Sequence, residues 1–336
     1  MILEDIILVF VMMEKNFRCS IWGEIEVSSL ALSIIDTWEF QRLHYIKQTG
    51  LAYKVFPTAT SSRFEHSIGV YHITKIMIEH LEKSVEDENK LNNREKELIC
   101  IVGLVHDIGH GPFSHLFDFL VERDNIKSIP KEHEKRGCFI FKKMVKENKI
   151  DISMEEVDWI CERILNPSEE KWYNILVYNP YYSFDMDKLD YLIRDMKHFG
   201  ISCPFDVFRI IKNTKVIKNK ICFCDRIYND IKKLFEIREE MHALIYRHPT
   251  IEKFSKFLHE NIKLKEFTMD EFLEMNDLSL LHNLPKQKWR ELETRKWNSF
   301  HEENKMELFK DEQKKKAFEN ILWYKRKDPT FFFIKK

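Results

Sequence analysis

The 336-residue sequence is short of glycine and proline, with 8 and 9 of them, although it contains 26 phenylalanines. Because these two residues interrupt helices and supply most tight turns, their scarcity favours long helices over a strand-rich fold. Apolar residues that recur every three or four positions point the same way. The sequence therefore predicts a mostly α-helical fold, with short β pieces near residues 17–27 and 216–224.

The chain also lacks a strong net charge, a paired cysteine pattern and a long apolar run. Its formal charge of −1 excludes a global field that would draw it onto nucleic acid. The seven scattered cysteines favour reduced thiols in an intracellular compartment, cytoplasmic or nuclear. The N-terminal run MILEDIILVFVMM contains two acidic residues and is too short for a membrane span, so we predict a buried strand or a packing arm. No membrane partner is expected.

The most informative stretch is GLVHDIGHGPFSHLFD, residues 103–118, which holds three of the 14 histidines within ten residues. A histidine beside an aspartate offers an imidazole nitrogen and a carboxylate oxygen to one metal ion. Gly109, Gly111 and Pro112 predict that one helix ends at the His-Asp pair and that the next begins at Pro112. A polar corner with surface histidines is the structural alternative. The ionisable residues of this stretch are His106, Asp107, His110, His115 and Asp118.

Helical spacing recurs on both sides of this stretch. Residues 30–47 and 226–263 are predicted to be helical, since their apolar residues follow the helical period. The segment RFEHSIGVYHITKIMIEHLEKSV predicts an amphipathic helix with Arg63 and His66 on one face.

A further helix is predicted in FDMDKLDYLIRDMKHFGI. Asp187, Tyr191 and Asp195 are four residues apart in it, so they would line one face. A solvated surface helix that carries charges at i,i+4 spacing is the alternative interpretation.

Four residues from these segments form a mixed ligand set. His66, His106, Asp107 and Asp187 would supply two imidazoles and two carboxylates. Such a set leaves positions open for water and a substrate oxygen, as a catalytic metal requires. The sequence predicts a divalent metal cofactor, and Fe, Mn, Zn or Mg would each be tolerated.

The pattern H…HD…D with helices between resembles the HD-domain metal phosphohydrolases. It is most similar to the branch of dNTP triphosphohydrolases whose members join a sterile-alpha-motif domain to an HD domain. Relative to that branch, the sterile-alpha-motif domain and most of the C-terminal lobe are expected to be missing. The resemblance covers roughly residues 15–297 and rests on FQRLHYIKQTGLAYKVFPTATSSRFEHSIGV, GLVHDIGHGPFSHLFD, DMDKLDYLIRDMKHFGI and LFEIREEMHALIYRH.

This resemblance implies an HD-domain helical bundle in three parts. Residues 1–29 would form an arm with a short β segment, 30–265 the catalytic core, and 266–336 a shortened C-terminal helical and charged segment. It also implies hydrolysis of a dNTP to a deoxynucleoside and triphosphate, where a Mg ion could enter bound to the substrate.

The resemblance assigns a role to each matching residue. The implied metal ligands are His66, His106, Asp107 and Asp187. The implied catalytic group is His110, Asp118 and His133, with His115 and Glu134 as a second dyad. The implied phosphate ligands are Arg63, Lys188 and Arg238. The residues expected around the sugar are Gln48, Tyr191, Asp195 and Tyr246. In the base pocket, Thr49 and Arg247 stand where the family has leucine and glutamine.

The family's activator site, which binds guanine and deoxynucleotides between subunits, is matched only in part. The matching residues are Asp36, Gln41 and Arg209, and Arg226 keeps one positive charge. The changed positions are Asn16, Arg18, His44, Cys224, Asp230 and Pro249. Because cations are missing, we predict reduced or absent activation by GTP, and a homo-oligomer in which a dimer is favoured.

Two other functions remain open at this stage. One is an HD phosphohydrolase that acts on another phosphate ester, such as a nucleoside monophosphate or a single-stranded oligonucleotide. Lys188, Arg238 and Tyr246 argue against it, because a monophosphate does not need so many cations. The other is a non-catalytic module that binds nucleotide or RNA, which the lysine-rich tail leaves open and the complete metal and histidine set disfavours.

Overall fold

The computed structural model describes residues 15–297 and 320–325, and the backbone of residues 328–332. The predicted N-terminal strand or arm, MILEDIILVFVMM, lies outside these residues. The prediction of a mostly helical fold is confirmed. No helix in the described part of the chain is both long enough and apolar enough to cross a membrane. The α-helices of the described residues are α1 (Ser29–Ile35), α2 (Trp38–Gln41), α3 (Arg63–Leu81), α4 (Asn93–Val105), α5 (His115–Arg123), α6 (His133–Glu147), α7 (Met154–Leu165), α8 (Met186–His198), α9 (Val207–Lys212), α10 (Tyr228–Met241), α11 (Pro249–Asn261), α12 (Met269–Leu273), α13 (Asp277–His282) and α14 (Lys286–Thr294).

Short strands form two small sheets, and the β pieces predicted near residues 17–27 and 216–224 are confirmed. Two strands of the second sheet come from the C-terminal tail, where the sequence predicted no strand. The first sheet is the antiparallel hairpin β1 (Lys15–Cys19) and β2 (Gly23–Val27), and the second consists of β3 (Thr214–Ile217), β4 (Lys220–Cys224), β5 (Trp323–Lys325) and β6 (Asp328–Phe332). The second sheet has the order β3-β4-β5-β6, in which β4 and β5 are parallel and the other neighbours are antiparallel.

Helix α3 is the centre of the bundle. The Ser62 hydroxyl caps it by accepting a hydrogen bond from the Glu65 amide at 3.4 Å. Of its 19 residues 13 are buried, and the less buried ones share one side, so the predicted amphipathic helix has a narrow exposed face: Glu65, His72, Lys75, Ile76, Glu79 and His80. At Gly69 an added Cβ would lie 2.0 Å from Asp190 Oδ1, so only glycine lets α8 pack this closely.

Two predicted long helices are divided in the structure. Residues 30–47 form α1, α2 and a 3₁₀ turn, since the Thr37 hydroxyl caps a new helix by accepting from the Phe40 amide. Residues 226–263 form α10, a single π-helical turn at His242–Tyr246, and α11. Pro249 starts α11, where its missing N–H costs nothing.

Two apolar clusters position the site. The main core packs α3, α4, α6, α7 and α8 against the sheets. A second cluster joins α5, α11, α13 and α14 to the 3₁₀ turn Gly50–Lys54. The main core extends past residue 265 through Phe267 and Phe272. The three-part domain division stays a prediction.

Candidate active site

The loop between α4 and α5 carries the His-Asp pair. As predicted, α4 ends at this pair, and His106 is its C-cap. The chain then turns sharply at Gly109, where an added Cβ would meet the His133 carbonyl oxygen at 2.0 Å. The predicted start of the next helix at Pro112 is wrong, because α5 begins three residues later, at His115. Pro112 instead belongs to the turn that precedes the helix.

The residues predicted to bind a metal, His66, His106, Asp107 and Asp187, lie together; we call them the buried cluster. His66 Nε2 is 3.1 Å from Asp187 Oδ1 and 3.5 Å from Asp107 Oδ2. His106 Nε2 is 3.5 Å from Asp107 Oδ1 and 3.6 Å from Asp187 Oδ1. Two ligands that bind one ion at about 2.0–2.2 Å, with bond angles of about 90–109°, are separated by about 2.8–3.6 Å. His66, His106 and Asp107 therefore each offer one ligand atom close enough to share a metal ion, and Asp187 lies beside both histidines.

Outer partners fix the orientation of both imidazoles. His66 Nδ1 lies 2.8 Å from Asp190 Oδ2, and Asp190 also accepts hydrogen bonds from Arg194 and from Trp22. His106 Nδ1 lies 2.8 Å from the Gly103 carbonyl oxygen. Both rings therefore present Nε2 to the cluster, as metal-binding histidines require. His106 Nε2 is buried and has no hydrogen-bond partner among the described residues.

Neighbouring charges shift the pKa values of the residues in the buried cluster. Burial lowers the pKa of His66, but hydrogen bonds to Asp187 and Asp190 outweigh it and raise that pKa to about 9. Burial also lowers the pKa of His106, and the charges of Asp107 and Asp187 more than reverse this effect. In Asp107 burial raises the carboxyl pKa, whereas the Arg63 guanidinium holds it well below its usual range. Without metal the imidazoles thus keep protons, whose charge a divalent cation would replace.

A second group, His110, His115, Asp118 and His133, lies next to the first; we call it the histidine cluster. One ligand atom from each residue lies within 4.8 Å of the others, so this group could also hold a metal ion. The rings of His110 and His133 stack with centroids 3.8 Å apart. His133 Nδ1 is 2.9 Å from Asp118 Oδ2, and Asp118 also pairs with Arg136.

In the histidine cluster the pKa values of His110 and His115 are lowered, whereas those of the histidines in the buried cluster are raised. Burial and the nearby charges of Arg63 and His133 hold the pKa of His110 well below its usual range. The same causes lower the pKa of His115, although its side chain is 68% exposed and solvent screens much of that shift. His110 is therefore a neutral imidazole at neutral pH, which can accept a proton.

One cavity of about 490 Å³ connects the two clusters. Arg63, Lys188 and Arg238 line it, and the first two are already paired. Arg63 Nη1 is 2.5 Å from Asp107 Oδ2, and Lys188 Nζ is 2.5 Å from Asp185 Oδ2. Arg238 leaves Nε and Nη1 buried with no hydrogen-bond partner in the described part of the chain. The cavity can therefore bind an anion.

Polar groups without partners line another part of the cavity wall. Gln48 Oε1, Thr49 Oγ1 and Asp195 Oδ1 are buried and make no hydrogen bond to any described residue. The Tyr246 hydroxyl donates to Asp195 Oδ2 at 2.7 Å. Burial raises the pKa of Asp195 to about 6, although this hydrogen bond lowers it in part. Buried groups of this kind are satisfied when a polar ligand binds.

Five of the predicted site residues do not line the cavity. His66 and His106 lie behind Asp107 and Asp187, and Asp118 lies behind His133. Glu134 Oε1 is 3.4 Å from His133 Nε2. Arg247, predicted to contact the base, is exposed and lies outside the cavity lining.

The sequence interpretation missed residues that support the site from a distance. Asp277 on α13 accepts hydrogen bonds from the Phe113 amide at 2.6 Å and the Lys47 amide at 3.0 Å. It thereby ties together the two loops that carry His110 and Gln48. No local signal marks Asp277, since its partners are more than 160 residues away. Asp185 could have been found, because it is the N-cap of α8.

The helical bundle and its H…HD…D geometry define an HD-domain protein, and comparison with known proteins agrees. The HD domain family matches residues 63–196. An HD domain-containing protein of Acanthamoeba polyphaga mimivirus is 38% identical over 290 residues, which cover 79% of this chain and 63% of that protein. The chain therefore carries an HD domain, and it is similar to proteins named as dNTP triphosphohydrolases.

Two of these relatives illustrate the similarity. The deoxynucleoside triphosphate triphosphohydrolase SAMHD1 homolog of Dictyostelium discoideum is 34% identical over 261 residues, covering 76% of this chain and 50% of that protein. Deoxynucleoside triphosphate triphosphohydrolase SAMHD1 of Homo sapiens is 34% identical over 267 residues, covering 70% of this chain and 42% of that protein. The chain spans about half the length of the curated relatives it matches.

Proposed function

We propose that this protein is a metal-dependent dNTP triphosphohydrolase, which converts a dNTP and water to a deoxynucleoside and inorganic triphosphate. One observation carries the proposal: a single cavity joins the buried cluster, the histidine cluster and three cationic side chains. A metal site alone would suit many phosphate esters. Three cations beside it suit a polyanionic tail, which needs more compensation than a monophosphate does.

The buried cluster would hold the metal through His66, His106, Asp107 and Asp187. Its donor set of two imidazoles and two carboxylates accepts Fe, Mn, Zn or Mg. When bound, the ion would polarise a phosphoryl oxygen and lower the pKa of a water molecule.

The chain's own residues would supply the remaining chemistry. The triphosphate would be held by Arg63, Lys188 and Arg238. Nε and Nη1 of Arg238 have no hydrogen-bond partner among the described residues, so they are available to a phosphate oxygen. Water oxygen would form a bond to the α-phosphorus while the bond to the 5′-oxygen breaks. The neutral imidazole of His110 could take the proton from water and return one to the 5′-oxygen. Asp118 would orient His133 beside it.

The polar wall would bind the sugar. Gln48 Oε1 and Asp195 Oδ1 are buried acceptors without partners, and a 3′-hydroxyl could satisfy them. Tyr191 and Tyr246 have ring centroids 6.4 Å apart on the same wall, where a 2′-hydroxyl would be crowded. The proposed substrate is therefore a deoxynucleotide and not a ribonucleotide.

Activation by a bridging nucleotide is not expected. Arg209 Nε lies 3.0 Å from Asp230 Oδ2, and Arg226 donates to Asn213. His44 stacks on Phe64 with ring centroids 3.5 Å apart. Residues that could meet an activator phosphate are thus engaged within the chain, and an uncompensated triphosphate at an interface would be costly. We infer a GTP-independent enzyme, active as a dimer or another homo-oligomer.

An intracellular location fits its seven free cysteines.

The central test is an assay of the purified protein with each dNTP and Mn²⁺ or Mg²⁺. Chromatography should detect a deoxynucleoside and inorganic triphosphate in equal amounts, and dGTP should be hydrolysed faster than GTP. Release of monophosphate, or hydrolysis of only a nucleoside monophosphate or an oligonucleotide, would refute the proposed reaction. Equal rates with dGTP and GTP would refute the sugar assignment alone.

The regulatory proposal needs its own measurement. Initial rates on dTTP and the mass from light scattering should be unchanged when GTP is added. Activity that strictly requires GTP, together with a shift from dimer to tetramer, would overturn this part and leave the reaction standing.

A further inference from the structure

Phe119 is an unusual residue on the cavity wall. It lies on α5, its surface is 61% exposed, and it nevertheless lines the cavity. It follows His115 by four residues, so both side chains lie on one face of α5. An exposed phenylalanine on a cavity wall contributes little to the protein core. Its position points to a ligand.

Helices α5 and α11 contribute further apolar residues to the cavity wall. Leu116 and Ile251 line the cavity as Phe119 does, and their helices pack against each other through the second apolar cluster. Arg63, Lys188 and Arg238 come instead from α3, α8 and α10. A ligand that satisfies both surfaces combines an anionic tail with a flat apolar ring system.

We propose that Phe119 positions the nucleobase of the bound nucleotide by packing its ring against the base. This inference rests on the proposed function, since it assumes that a nucleotide fills the cavity. Every nucleobase has a π-face, so such packing raises affinity with little dependence on hydrogen-bonding edges. Purines offer more surface than pyrimidines, and they should gain more from it.

The test compares Phe119→Ala with a matched control, Phe139→Ala. Phe139 on α6 is 53% exposed and is not among the cavity-lining residues. Its substitution therefore removes an exposed ring of the same size away from the cavity. Binding of dGTP, dTTP and inorganic tripolyphosphate is measured by calorimetry in the presence of Mg²⁺. A His110→Ala background prevents consumption of the nucleotides.

Loss of Phe119 should weaken dGTP binding by roughly 5- to 100-fold, the range expected for one base-aromatic stack. The loss for dTTP should be smaller, and tripolyphosphate should bind as before. Phe119→Trp should restore dGTP binding. In the otherwise native enzyme, Phe119→Ala should raise KM for dGTP while kcat changes by less than about twofold, since the base is remote from the reacting phosphorus.

Two outcomes would overturn the inference and are distinguishable from failure of the proposed function. Unchanged dGTP binding in Phe119→Ala would show that the ring does not contact the base. Equal loss of dGTP and tripolyphosphate would show a general disturbance of the cavity. If the parent protein binds tripolyphosphate but no dNTP, the proposed function itself fails.

Discussion

The buried cluster and the histidine cluster contain similar residues but have opposite electrostatics. They are adjacent, since His110 Nε2 lies 3.2 Å from Asp107 Oδ1. In the buried cluster two imidazoles face two carboxylates, and the histidine pKa values rise. The histidine cluster has three imidazoles and one carboxylate, Asp118, which Arg136 also neutralises, and the pKa values of His110 and His115 fall.

The difference shows that the ratio of carboxylates to imidazoles decides what such a group can do. An excess of negative charge favours a bound cation, either protons or a metal ion. A shortage of negative charge keeps imidazoles neutral, and neutral imidazoles accept protons. Arg63 strengthens the contrast, because it pairs with Asp107 and also lowers the pKa of His110. Metal binding and proton transfer can therefore coexist a few ångströms apart.

The largest expected effect follows removal of Asp107, which contacts both clusters. Asp107→Ala should lose the metal and the activity together, by more than the roughly 10- to 100-fold that loss of an outer partner costs. Metal analysis and dNTP turnover of the purified variant check this. Asp158→Ala is the control, since Asp158 is exposed on α7.

Metal content also tests the contrast itself. We expect one ion per chain in the parent protein and none in Asp107→Ala. Two ions per chain would mean that the histidine cluster binds metal as well, and the division of roles would be wrong.

The second effect concerns the histidine cluster alone. His110→Ala should keep the metal and lose turnover by roughly 10²- to 10⁴-fold, the usual contribution of a general acid or base. His282→Ala on α13 is a suitable control, since it removes an exposed histidine. Full activity of the His110 variant with normal metal content would remove His110 from the proposed chemistry.

Much of the candidate site could be predicted because its signals are local. The His106-Asp107 pair, the glycines after it and the four-residue spacing of Asp187, Tyr191 and Asp195 lie within single segments. A helix end and a shared helix face follow directly from such spacing. The structure accordingly brings Asp107, Asp187, Tyr191 and Asp195 to one cavity, with His106 behind the first two.

The parts that could not be predicted depend on distant pairing. Glu65 and Lys75 lie on the narrow exposed face of α3, and the packing of α4 and α8 that buries most of this helix depends on remote segments. Asp277 reaches the site from far along the chain, and β5 joins β4 in parallel register. Neither contact leaves a periodic pattern in the sequence, because it depends on where two remote segments meet.

The smallest expected effect concerns Asp195, which separates the influence of burial from that of charged partners. Asp107 and Asp195 are both buried, but Arg63 lowers the pKa of the first whereas burial raises the pKa of the second to about 6. A carboxyl whose folded pKa is raised contributes stability below its unfolded pKa, near 4, and that stability is lost as pH rises through 6. The shift of about two pH units corresponds to about 3 kcal/mol.

Asp195→Asn cannot ionise, and its amide oxygen can still accept the hydrogen bond from Tyr246. Between pH 4 and pH 7 the free energy of unfolding of metal-free parent protein should therefore fall by about 2 kcal/mol relative to this variant, since the unfolded carboxyl is already half ionised at pH 4. Urea unfolding at both pH values measures the difference, and Asp158→Asn, an exposed aspartate, should show no such change. Parallel pH dependence of the parent and Asp195→Asn would mean that burial does not raise the pKa of Asp195. Partners, and not burial, would then set the protonation of this carboxylate as well.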